Sequence, residues 1–221
     1  MKKIIYILLC LTLCVCFVAC NNTENQPLPP SNDGLDADEI GNIPELVNSK
    51  KLEDFVLDEN GDYAIVDIAN YGQIVLCLRA DIAPDTVENF KNLVKTNYYD
   101  GLLFHRVIKD FMIEGGEVNR DGVLSSTDMI YGEFTNNGFE NNLSHYRGVL
   151  SMSRANIPDS AEGKFFILHK DSRHLDGEYA AFGYVISGME VVDEIASCSV
   201  GENYYPDEQI VINSIKLAKL K

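Results

Sequence analysis

The sequence contains no tryptophan, only four histidines, and only 18 lysines and arginines against 34 acidic residues. That shortage of cations leaves a formal net charge of −16 over 221 residues. It argues against nucleic acid as a partner, because phosphate binding rests on clustered Lys and Arg. The apolar fraction of 46% excludes wholesale disorder. Cysteine is scarce where a fold would need it. Cys10, Cys14, Cys16 and Cys20 crowd the start, leaving only Cys77 and Cys198, too few to staple a domain. Two free thiols are expected there rather than a disulfide. His105, His145, His169 and His174 show no zinc-type spacing and have no Cys pair beside them. Gly-x-Ser-x-Gly is absent as well. No metal, no cofactor and no serine-hydrolase chemistry are therefore expected. The uncharged run over residues 4–19 is 16 residues long, short of the roughly 20 that a membrane span needs.

That run does fit another purpose. Lys2 and Lys3 precede it, and small residues follow, which is the layout of a secretory signal. Phe17-Val18-Ala19-Cys20 resembles a bacterial lipobox, in which lipid is attached to the Cys and cleavage falls just before it. Residues 1–19 are expected to be removed, and Cys20 to anchor the protein to the outer face of a bacterial membrane. Loss of Lys2 and Lys3 takes the mature charge to −18. Residues 20–60 are polar, rich in Asn and Pro at first and acidic throughout, with a net charge of −8 over 21–60. This composition predicts a flexible tether with an end-to-end reach of about 35 Å. Leu46, Val47, Leu52 and Phe55 could supply one short helix or strand packed on the domain.

From residue 61 the patterning changes to that of one domain, 61–221. Residues 62–69 and 73–79 alternate around Asn70-Tyr71-Gly72, predicting a β-hairpin. Pro84 opens a helix with Val87, Phe90, Leu93 and Val94 on one stripe. Short strands are predicted at 103–108, 111–113, 148–152, 165–168 and 181–186, a second helix at 189–196, and a last strand at 209–217. Many short strands with two helices suggest a closed antiparallel barrel.

Residues 99–117, from Tyr99-Asp100-Gly101 through Phe104-His105-Arg106 and Phe111-Met112 to Gly115-Gly116-Glu117, resemble the signature of the cyclophilin family of peptidyl-prolyl cis-trans isomerases. Ala83-Pro84, Gly148-Val149-Leu150-Ser151-Met152, Phe165-Phe166-Ile167, Leu175-Asp176-Gly177 and Phe182-Gly183 are similar to the family's other blocks, in the same order. The resemblance implies an eight-stranded antiparallel β-barrel capped by two α-helices, a mainly β fold. It also implies catalysis of X–Pro rotation, whose uncatalysed barrier is about 18–20 kcal/mol.

Such catalysis needs a site that favours the twisted amide over the planar one, with no nucleophile or metal. The resemblance places Arg106 as the donor aimed at the proline nitrogen. It places Phe111, Met112, Phe166 and Leu175 in the proline socket, with Tyr179 as a wall. Ser153 and His174 complete the expected substrate-binding set.

Several of these positions depart from the family pattern. Glu114 stands where a Gln is usual, and an ionised carboxylate accepts but cannot donate. It could instead pair with Arg106 and compete for its donors. His174 stands where a Trp or Phe is common. That Trp contacts the inhibitor cyclosporin, so weak inhibition is expected. Turnover slower than that of a typical member is expected too. The partners implied are proline-containing polypeptides outside the cytoplasm, met by a monomer. The alternative is a tethered proline-binding, chaperone-like module with little turnover.

Overall fold

A computed structural model describes residues 43–221. The expected signal segment, Cys20 and the first part of the tether lie outside the described residues. Nine strands form one antiparallel sheet: β1 (Phe55–Leu57), β2 (Tyr63–Ile68), β3 (Gly72–Leu78), β4 (Leu102–Ile108), β5 (Met112–Asn119), β6 (Val149–Met152), β7 (Phe165–Leu168), β8 (Ala181–Ser187) and β9 (Ile210–Leu220). The hydrogen-bonded order is β1-β9-β2-β3-β8-β6-β7-β5-β4, and β4 pairs back onto β9. Strands β2 to β9 thus close into the expected eight-stranded barrel. Strand β1 is an addition. Leu103 and Phe104 of β4 pair with the start of β9, while β1 pairs with its end at Ala218–Leu220.

Alternation along the strands sorts the apolar residues into two cores. Inside the barrel lie Val66, Leu76, Phe104, Ile113, Leu150, Phe165, Ile167 and Phe182. Helix α2 (Pro84–Lys95) adds Val87, Phe90 and Val94 to this core, and α3 (Met189–Ala196) adds Met189, Val192 and Ile195. On the outer face, a second cluster holds Tyr63, Met112, Phe166, Leu168, Leu175 and Tyr184. The run Phe165-Phe166-Ile167-Leu168 therefore feeds both cores, two side chains to each. Helix α2 begins with Pro84 and has no capping side chain of its own. The buried Glu133 carboxylate supplies the cap, accepting the backbone N–H of Asp85 at 3.1 Å and of Thr86 at 2.8 Å.

The tether boundary at residue 60 requires correction. Helix α1 (Ile43–Leu46), a 3-10 turn (Leu52–Asp54) and β1 all fall within it. Ile43 and Phe55 are buried in the outer cluster, and Leu46 and Val47 pack against it. Of the four apolar residues expected to pack there, Leu46, Val47 and Phe55 do so, Leu52 is exposed, and Ile43 is an added anchor. Cys77 is buried, Cys198 half-buried, and neither forms a disulfide.

Candidate active site

Strand β4 carries Arg106, and an irregular register brings it to the surface. Phe104 pairs with Gly115 and Arg106 with Glu114, so His105 and Arg106 share one partner residue across a bulge. A bulge of this kind sets two residues against one and re-aims a side chain. Phe104 stays in the barrel interior while the Arg106 side chain is 39% exposed. The partner strand bends at Gly116, whose φ is +90° and where a Cβ would sit 2.9 Å from the Gly163 carbonyl oxygen. Only glycine fits there comfortably.

Across the sheet, Glu114 is nearly buried and both of its oxygens are engaged. Oε2 lies 3.0 Å from Arg106 Nη1, and Oε1 accepts from Ser153 Oγ at 3.0 Å. Lys164 Nζ stands 3.9 Å from the same Oε1 and donates to Glu117 Oε1 at 2.9 Å. His105 Nε2 is 3.8 Å from Glu114 and 3.6 Å from Glu117. Burial holds the His105 imidazole below its ordinary range despite these two carboxylates.

These residues border a cavity of about 150 Å³ lined by Arg106, Phe111, Met112, Glu114, Ser153, Phe166, Leu175 and Tyr179. Every residue named from the sequence is in that lining except His174. The His174 side chain is exposed and its ring packs beside Phe111, tilted by 31° with centroids 5.7 Å apart. It backs a wall of the cavity rather than forming one, because the turn Arg173–Leu175 points Leu175 inward and its neighbour outward. Tyr179 meets Phe166 edge-on at 5.8 Å, and Arg154 lies 4.8 Å over the Tyr179 ring. A second, more polar cavity of about 130 Å³ shares Ser153 and includes Glu117, Arg154, Glu162 and Lys164.

Two features escaped sequence reasoning. His145 is buried under the socket, its Nδ1 3.1 Å from Asp176 Oδ1 and its Nε2 3.0 Å from Ser151 Oγ. Its ring is stacked on Phe166, centroids 6.4 Å apart and 20° off parallel. Burial pushes this imidazole below its ordinary range as well. Tyr204 reaches the site from the loop before β9, its ring centroid 6.0 Å from the Arg106 guanidinium carbon. His145 precedes Tyr-Arg-Gly in a loop, and Tyr204 follows Asn, so neither stood in a pattern that signals a site.

The chemistry available to this arrangement is narrow. A guanidinium beside a cavity walled by Phe111, Met112, Phe166 and Leu175 can donate to a polarised nitrogen but cannot exchange protons in the useful pH range. The closed barrel, the outer-face socket and the Arg106 cation at its rim define a class of rotation catalyst without covalent chemistry. The family model described as "Cyclophilin type peptidyl-prolyl cis-trans isomerase/CLD" matches residues 63–217. This chain belongs to the cyclophilin-type peptidyl-prolyl cis-trans isomerases, and isomerisation of X–Pro bonds is its reaction class.

Among its relatives, a peptidyl-prolyl cis-trans isomerase of Acinetobacter baylyi is 42% identical over 135 residues, 58% of this chain and 69% of that one. Peptidyl-prolyl cis-trans isomerase-like 2 of Rhizopus delemar is 37% identical over 151 residues, 68% of this chain. The matched region makes up only 28% of that longer protein. A solved structure of a Cryptosporidium parvum cyclophilin, determined in the presence of the dipeptide Ala-Pro, has a TM-score of 0.60 at 27% identity. That match covers 70% of this chain and 98% of the other.

Proposed function

We propose that this protein accelerates X–Pro rotation in polypeptides outside the cytoplasm, held to a bacterial membrane by lipid on Cys20. The observation that carries the catalytic part is the Arg106 guanidinium at the rim of a cavity walled on one side by Phe111, Met112, Phe166 and Leu175. As the amide twists, its nitrogen becomes pyramidal and gains a lone pair, which the planar form lacks. A fixed Arg106 donor stabilises only the twisted form, and such preorganised donors carry most of the effect in sites of this type. Phe111, Met112, Phe166 and Leu175 take the proline ring, and Tyr179 walls it. Their apolar surfaces exclude water and strengthen the arginine contact. Ser153 orients Glu114. The Glu114 carboxylate competes with substrate for Arg106, so turnover is slower than in members with an amide at that position.

The anchoring part rests on Lys2, Lys3, the uncharged run and Cys20. Clients are proline-containing chains whose folding waits on isomerisation, a step of tens of seconds without catalysis. The protein acts as a monomer. Exchange NMR on an Ala-Pro peptide with the full chain tests the catalysis, with Arg106→Ala as control. A peptide that binds without faster exchange would instead support a tethered proline-binding module. Replacing Cys20 by Ser tests the anchor. The protein should leave the membrane fraction, and retention there would refute lipid attachment at Cys20.

A further inference from the structure

The loop between α3 and β9 holds an unusual backbone beside the site. Asn203 and Tyr204 are consecutive non-glycine residues with φ of +57° and +62°. An aromatic residue rarely adopts this left-handed region unless its surroundings enforce it. Here the enforcement is a closed turn. Gly201 N–H donates to the Tyr205 carbonyl at 2.8 Å, Asp207 N–H donates to the Ser199 carbonyl at 3.0 Å, and Val200 bridges Pro206. The outcome is a pair of tyrosines laid along β4, Tyr204 over Arg106 and Tyr205 beside the His105 ring at 6.1 Å.

Behind this pair runs a groove of about 270 Å³ whose lining includes His105, Val118, Leu124, Tyr205, Pro206 and Gln209. No Lys, Arg, Asp or Glu lines it, on a chain whose surface is otherwise strongly acidic. Leu124 is 68% exposed and Tyr204 51%. His105 is nearly buried, and its Nδ1 has no hydrogen-bond partner among the described residues. Large apolar side chains gathered in water beside a binding site mark a surface that awaits a partner. His105 lines the groove and its chain neighbour Arg106 lines the proline socket, so the two lie next to each other across the bulge.

Building on the isomerase reading, we propose that Tyr204 and this groove form a second subsite for the client. It takes a large aliphatic or aromatic side chain flanking the proline, where the polypeptide leaves the socket past Arg106. Specificity then comes from shape and apolar contact, and acidic side chains are disfavoured because no Lys or Arg lines the groove to pair with them.

The test uses the full chain and peptides with a constant Ala-Pro pair. Ala, Leu, Phe or Glu is placed in turn at each position flanking that pair. Exchange NMR gives kcat/KM and titration gives Kd. At one flanking position Leu and Phe should exceed Ala and Glu by about tenfold, the discrimination expected of a partly open apolar pocket. Tyr204→Asn keeps a residue that tolerates the left-handed backbone, and Leu124→Ser removes an exposed apolar edge of the groove. Each should collapse the Leu-to-Ala ratio, whereas Tyr204→Phe should retain it. A flat profile in the wild type, or a ratio unchanged in both variants, overturns the subsite. Absence of turnover on every peptide would refute the isomerase reading instead. The same ratios read in Kd would then decide the subsite.

Discussion

Glu114 Oε2 lies 3.0 Å from Arg106 Nη1 across neighbouring strands, so the residue aimed at substrate is already engaged by a carboxylate. The second oxygen of Glu114 is taken by Ser153. A charge-assisted bond of this type is about twice as strong as a neutral one. It orients the guanidinium and also withholds donors from the twisted amide. Glu114→Gln keeps the shape, removes the competing charge and adds a donor for the substrate carbonyl. We expect kcat/KM to rise about three- to tenfold, the span of a net hydrogen bond of about 1 kcal/mol. Exchange NMR on one peptide measures it. An unchanged rate would show that the ion pair does not limit Arg106.

Arg106→Ala should cost about 10²–10³ in kcat/KM, the loss typical of one preorganised donor. The fold should survive, because the Arg106 side chain lies outside the barrel core and is partly exposed, and a circular dichroism spectrum checks this. Arg106→Lys should recover little of the rate, since an ammonium cannot reproduce the planar fork held by Glu114 and covered by Tyr204. Wild-type turnover in either variant would remove Arg106 from the mechanism.

The barrel was largely legible because it writes itself into short-range pattern, whereas the socket residues were named through the family resemblance and not through periodicity. Phe165–Leu168 and Met189–Ala196 have the bounds that the short apolar run and the helical stripe predicted. Strand β5 runs on to Asn119, beyond the predicted residue 113, because Gly115-Gly116 resembles a turn yet serves as a bend within the strand. What stayed hidden depends on tertiary contact between distant segments. His145 sits under Phe166, Tyr204 covers Arg106, and Asn48 caps a helix that starts at Met189. None of these pairings leaves a periodic signal. Within residues 43–60 the apolar residues Leu46, Val47 and Phe55 marked a packed segment, but the acidic residues around them set the domain boundary too late, at residue 61.

Buried histidines set the pH response of stability. Burial holds the imidazoles of His145 and His105 below their ordinary range. The unfolded chain takes up these protons near pH 6.5, while the folded chain resists them. The unfolded state therefore binds more protons as pH falls through this window, and the stabilisation present above about pH 6.5 is lost on the way down. His145→Gln removes one of the two groups. Its urea midpoint should fall less steeply between pH 6.5 and pH 5 than that of the wild type. Parallel slopes would show that His145 titrates alike in both states.

The docked segment before the barrel makes the last prediction. Asn48 Oδ1 accepts the Met189 N–H at 2.8 Å, and its Nδ2 donates to Glu190 Oε2 at 3.1 Å. Helix α3 needs this, because Gly188 at its own N-cap offers no side chain and the first N–H groups of a helix lack internal partners. Asn48 also holds a φ of +58°, which Asn and Gly tolerate and Ala does not. Asn48→Gly should lose only the cap, about 1 kcal/mol. Asn48→Ala should lose the cap and add backbone strain of about 1 kcal/mol. Urea unfolding of the three proteins reads the order wild type, Gly variant, Ala variant. The rate on an Ala-Pro peptide should not move, because Asn48 lies outside the cavity. Equal midpoints for all three would mean that residues 43–60 do not hold this docked position in solution, and the domain would then begin at β2.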